Sequence, residues 1–149
     1  MNDAGVRPFS IRALLEDRAR YLVPMYQRNY AWGEGEITQL LQDVLDYQQK
    51  LVSGKGPQTY YIGTLVVFAR DDGSFEVIDG QQRFTTLSLL ANWLKHHAID
   101  SVDMSWYQTI NLAFESRPIS SHTFERLWQG VAPYDLRGST FNEGLVNGF

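Results

Sequence analysis

Apolar residues at Ile37, Leu40, Leu41, Val44, Leu45 and Leu51 recur every three to four positions, which predicts a helix over 34–51 with one apolar face. Glu34 and Glu36 in its first turn suit the positive end of the helix dipole, and Ser53-Gly54 closes it. The opposite side, with Asp43, Asp46 and Gln49, reads as a solvated face without chemistry. A second run at helical spacing, Phe84, Leu87, Leu90, Ala91 and Leu94, predicts a helix from about Gln82 to Ala98. Between the two lies a stretch rich in β-branched and aromatic residues, read as a strand over 60–68. The turn Asp71-Asp72-Gly73-Ser74 then leads into a strand ending at Ile78, forming a β-hairpin. Shorter signals complete the chain. Ser10 caps a helix bearing Ile11, Leu14 and Leu15; Tyr21 to Pro24 is extended, because the residue before proline avoids the helical region. A strand is expected over 110–114, and a last helix starts near Ser121, turns Phe124, Leu127 and Trp128 inward and stops at Gly130. Residues 131–149 lack apolar period and read as irregular. Strands and helices mixed in this way predict an α/β (α+β) unit with a β-hairpin flanked by helices.

Composition narrows the functions open to such a unit. The 149 residues suit one domain with its own core. A net charge of −4 argues against a surface that is a nucleic-acid footprint throughout. Ten of the thirteen cations are arginine, which favours bidentate contacts to anions. Without cysteine, disulfides, thiolate catalysis and cysteine-ligated zinc are excluded. The first residues are polar and no apolar run approaches a membrane span, so a soluble, cytoplasmic protein without membrane contact is expected.

The chemistry concentrates where the hairpin meets the second long helix, at Asp79-Gly80-Gln81-Gln82-Arg83. A helix start favours anions, Gly80 allows a ligand close to the backbone, and Arg83 offers a planar fork to phosphate oxygens. Gln81 and Gln82 suit a base edge, a ribose or an attacking water, and Thr85 and Thr86 add hydroxyls. Asp79 would repel an anion, which suggests a divalent cation or an activated water beside it. The structural alternative has Asp79 capping the helix and pairing with Arg83, which leaves both glutamines without a task. Gly63 marks a close approach or a bulge. A second polar, aromatic loop spans Tyr26-Gln27-Arg28-Asn29-Tyr30-Ala31-Trp32; Tyr30 and Trp32 are candidates either for base stacking or for plugging the core. His96 and His97, adjacent near a helix C-terminus, suit the dipole better than a metal. No P-loop, dinucleotide fingerprint or nucleophile elbow occurs.

Three blocks in order, Val23 to Trp32, Tyr60 to Leu65 and Val77 to Leu87, resemble the N-terminal domain of the GmrSD family of modification-dependent (type IV) restriction endonucleases and phage-defence proteins; Leu112 to Arg117 is a weaker fourth. The likeness covers about residues 10–130, so a domain over 1–130 is expected, with 131–149 opening a further C-terminal region. It implies a ParB/sulfiredoxin-like fold with a small mixed sheet. It further implies that Asp79, Gln81, Gln82 and Arg83 bind and help hydrolyse a nucleoside triphosphate with Mg²⁺ at Asp79, GTP ahead of ATP or CTP. Tyr26, Gln27, Arg28, Gly63, Gly80, Thr85 and Thr86 would complete the nucleotide pocket, with Tyr30 and Trp32 as weaker DNA contacts. The family couples this activity to DNA cleavage. The chain has three histidines and no His-Asn-His motif, so cleavage is expected from another domain or a partner nuclease. A homo-oligomer is left open.

Overall fold

The computed structural model describes residues 5, 6, 8–24, 26, 27, 30–54, 60–98, 100–115 and 118–130, without the side chains of 118–120. The elements are α1 (Ile11–Glu16), β1 (Tyr21–Val23), α2 (Glu34–Val52), β2 (Val66–Ala69), β3 (Phe75–Asp79), α3 (Gln81–His97), β4 (Leu112–Phe114) and α4 (Pro118–Trp128). The result is a small α/β fold with one four-stranded mixed sheet in the order β2-β3-β1-β4. β1 runs parallel to both β3 and β4, and β2 and β3 form the expected antiparallel hairpin.

The core explains this order. β1 is central, and Tyr21 and Val23 are buried on it. The Tyr21 ring stacks on Phe75 of β3 at 5.3 Å and lies 5.3 Å from Phe84 of α3, so one side chain joins two strands to the helix. From Gln81 to Leu89 only Arg83 of α3 is not buried, so the helix is enclosed on nearly all sides along its first half. Val77, Leu89, Tyr107, Leu112, Phe124 and Leu127 complete the same cluster. Ser10 caps α1 as expected, its Oγ accepting from the Ala13 amide at 3.0 Å.

Three expectations are corrected. The strand over 60–68 is a strand only at 66–69, because Gly63 takes a positive φ of 152° and β3 offers pairing partners only from Val66 onward. The last helix begins at Pro118, three residues before Ser121. On α2 only Leu40 is buried; Leu41, Val44, Leu45 and Leu51 are exposed, since the helix meets the rest of the described residues along a narrow edge.

Candidate functional site

β3 passes into α3 through a single residue. Gly80 is the N-cap of α3 with φ 92°, a left-handed conformation that turns the chain from strand to helix in one step. Among the described residues no side chain caps α3, and no acidic residue lies in its first turn, whereas Lys95, His96 and His97 occupy its last. The positive end of the helix dipole is therefore left to act on whatever lies beyond it. Asp79 is exposed; its Oδ1 accepts the Gly80 amide at 2.9 Å. The expected alternative, Asp79 capping the helix and neutralising Arg83, does not form. Gly80 is the cap, and among the described residues Arg83 makes no ion pair.

Arg83 lies under the chain that leads into β2. A Cβ on Gly63 would stand 2.1 Å from Arg83 Nη1, and a Cβ on Gly80 would stand 2.7 Å from the Thr64 carbonyl oxygen. The two glycines thus let residues 63–65 lie against the start of α3, and Gly63 marks a close approach rather than a strand bulge. The Arg83 guanidinium lies 5.8 Å from the Trp32 ring centre, and its Nε is buried without a hydrogen-bond partner among the described residues. A buried donor left unmatched costs free energy that an anionic acceptor would recover.

The aromatic loop is drawn to the same place, residue by residue. Tyr26 donates its hydroxyl hydrogen to Glu76 at 2.6 Å, and Gln27 donates Nε2–H to the Ile78 carbonyl at 2.8 Å, one residue from Asp79. Tyr30 shares a hydrogen bond of 2.8 Å with Thr86, and the Ala31 amide donates to Gln82 Oε1 at 2.7 Å. The two segments singled out in the sequence are therefore adjacent. Arg28 lies outside the described residues.

Burial sorts the remaining candidates. Gln81, Gln82, Thr85 and Thr86 are all buried. The oxygen of Gln82 braces the loop, and the Thr86 hydroxyl also donates to the Gln82 carbonyl, so both hold the site's frame in this conformation. Tyr30, expected as a weak DNA contact, is corrected to a core residue, only 6 % exposed. Trp32 is half-buried beside Arg83. His96 bonds the Trp128 carbonyl through Nε2 and His97 stacks on Trp93, so both serve packing. Among the described residues no three His, Cys, Asp or Glu side chains converge on a metal position.

A cleft of about 530 Å³ opens beside Arg83, between α2 and the chain entering β2. Its lining includes Gln39, Asp43 and Tyr60, which drew no functional reading from the sequence. Asp43 in particular alternates with α2's apolar positions just as a solvated residue would, so no local signal sets it apart.

The loop is anchored on its other side by a charged network. Arg70 bonds Glu76 at 3.0 Å and Glu115 at 2.6 Å, linking the end of β2 to β3 and to the residue after β4. The hydrogen bond from Tyr26, followed by that from Arg70, lowers the Glu76 carboxyl below its ordinary pKa. A depressed folded-state pKa stabilises the fold above the unfolded value, and the gain is lost as pH falls through the folded value. Melting temperatures of wild type and Glu76→Gln should therefore differ at neutral pH and converge as pH drops below about 4. Curves that stay parallel would remove Glu76 from the anchor.

Comparison with curated proteins and with solved structures gave no significant match. The model of the GmrSD restriction endonuclease N-terminal domain matches residues 11–144. That span takes in the loop, the lead-in to β2, the Asp79–Arg83 joint and all eight elements, and the chain accordingly belongs to the GmrSD restriction endonuclease family, as its N-terminal domain.

Proposed function

We propose that this domain binds a nucleoside triphosphate with Mg²⁺ and hydrolyses it, supplying the nucleotide-dependent step of a phage-defence restriction system in which another domain or a partner nuclease cuts DNA. The observation that carries this reading is Arg83: a guanidinium that among the described residues has no ion pair and leaves a buried Nε unmatched, placed against Gly63 and Trp32 beside a helix start without a side-chain cap. Arg83 would take phosphate oxygens, while the dipole of α3 favours the same charge. Gln27, fixed to β3, and the neighbouring Arg28 would close the loop side.

Asp79 fits Mg²⁺ in the way nucleotide sites commonly do, with one exposed carboxylate and the remaining ligands coming from phosphate and water. When bound, the ion would offset charge on the phosphate oxygens. Arg83 would stabilise charge developing on the transferred group, and Asp79 or Gln81 would orient the attacking water.

Gln82 favours a second reading. Its side-chain oxygen already ties the loop to α3, so nucleotide bound between them could act as a switch on that bond without being hydrolysed. Calorimetric titration of the purified chain with GTP, ATP and CTP in Mg²⁺, followed by phosphate-release measurements, tests both. Binding with steady release is expected. Binding without release selects the switch, and no binding by any of the three defeats both readings.

A further inference from the structure

The lining of the cleft beside Arg83 suits a nucleobase better than phosphate. At about 530 Å³ it falls within the range of small-ligand sites. Trp32 and Tyr60 contribute aromatic surface, and Tyr60 is backed by Tyr47, ring centres 5.3 Å apart, which holds it against α2. The α2 wall is rich in hydrogen-bond acceptors. Asp43 presents its carboxylate, and Gln39 turns its amide hydrogens toward Asp43 at 2.7 Å, leaving its oxygen for a ligand. Glu36 adds a second carboxylate, one oxygen of which accepts the Gly33 amide. Such a wall repels phosphate and attracts ring N–H and amino groups. Among the described residues Arg83 is the only cation in the lining, so charge divides the region into an anion end at Arg83 and an acceptor end on α2.

We propose that this cleft is the nucleobase subsite: the base stacks on Tyr60 and Trp32, and its exocyclic amine donates to Asp43, while the phosphates run back past Arg83 to the Gly80 turn. The inference rests on the proposed nucleotide site and adds to it where the base goes and which bases it prefers. Guanine, adenine and cytosine carry an exocyclic amine; uracil keeps a ring N–H but presents a carbonyl oxygen where cytosine has its amine, and at that position faces an acceptor with an acceptor. GTP, ATP and CTP should therefore bind more tightly than UTP, by about tenfold for one charge-assisted hydrogen bond.

Inorganic tripolyphosphate separates the two ends of the site. Equilibrium binding of GTP, ATP, CTP, UTP and tripolyphosphate, each with Mg²⁺, is compared for the wild type, Asp43→Asn and Tyr60→Leu, with circular dichroism and melting to verify the fold. Tyr60→Leu should weaken all four nucleotides by about fivefold to a hundredfold, the range of one lost base–aromatic stack, and leave tripolyphosphate unchanged. Asp43→Asn should shrink the preference over UTP, again without affecting tripolyphosphate. If wild type binds tripolyphosphate as tightly as the nucleotides, or if both variants keep wild-type nucleotide affinity, the base lies elsewhere while the phosphate site stands. If neither tripolyphosphate nor nucleotide binds, the phosphate site falls and the base cleft with it.

Discussion

Arg83→Ala should lower the rate of nucleoside triphosphate hydrolysis by about 10²–10³-fold, the usual cost of removing one preorganised charge-stabilising group, while the protein remains folded. The second half of that expectation comes from the geometry. Arg83 makes no ion pair among the described residues, and what it loses on truncation is its contact with the Trp32 ring, worth about 0.5–1 kcal/mol. Arg83→Lys keeps the charge but not the fork, so it should recover only part of the rate. Gly63→Ala should act through the same side chain. Its new methyl would stand 2.1 Å from Nη1, and the flexible guanidinium is the group able to move. Because Gly63 also holds a φ of 152°, which a side chain rarely adopts, the substitution carries backbone strain of about 1–3 kcal/mol as well, so activity and stability should both fall. Single-turnover hydrolysis alongside urea denaturation separates the two quantities, and an Arg83→Ala protein with wild-type turnover would remove Arg83 from the chemistry.

Gly80→Ala should be the most destabilising single change at the site, by about 3 kcal/mol. A non-glycine residue pays about 1–2 kcal/mol for a left-handed conformation, and overpacking typically adds 1–3 kcal/mol. The overpacking is severe here because the new Cβ would meet backbone, the Thr64 oxygen at 2.7 Å and the Leu65 Cα at 3.3 Å, and neither can swing aside. Against a total of about 5–15 kcal/mol for a small domain, such a loss should bring the urea midpoint down sharply. Gly73→Ala is the control. It has a similar φ of 86° in the hairpin turn and open space around its Cβ, so it should cost only the conformational part. Equal losses for the two would show that Thr64 and Leu65 do not press on the α3 start.

The contrast between α2 and α3 shows how far a linear pattern can be read. Both helices were legible to within about a residue at their ends, because spacing of apolar side chains and terminal residues are local properties. Burial was not. The apolar positions of α2 are largely exposed, while α3 buries Gln81, Gln82, Thr85, Thr86, Ser88 and Asn92, residues that a pattern would place outside. Whether a polar side chain is enclosed depends on what packs over it from elsewhere in the chain. For α3 that includes a loop some fifty residues earlier, which meets Gln82 and Thr86 by hydrogen bonds.

Residue order suffices for the hairpin, the abrupt glycine joint from strand to helix, the family, and the two segments on which a site would be built. Those follow from local backbone requirements and from motifs that are contiguous in the chain. The fold, and not the local pattern, brings Gln27 to β3 one residue from Asp79, leaves Arg83 without a carboxylate partner among the described residues, and puts Gln39, Asp43 and Tyr60 in a cleft with it. Direction and partnership of a side chain are set by contacts between distant segments. Arg83 passes beneath Gly63 only because residues 63–65 lie across the turn at Gly80, and neither glycine says so until both are placed.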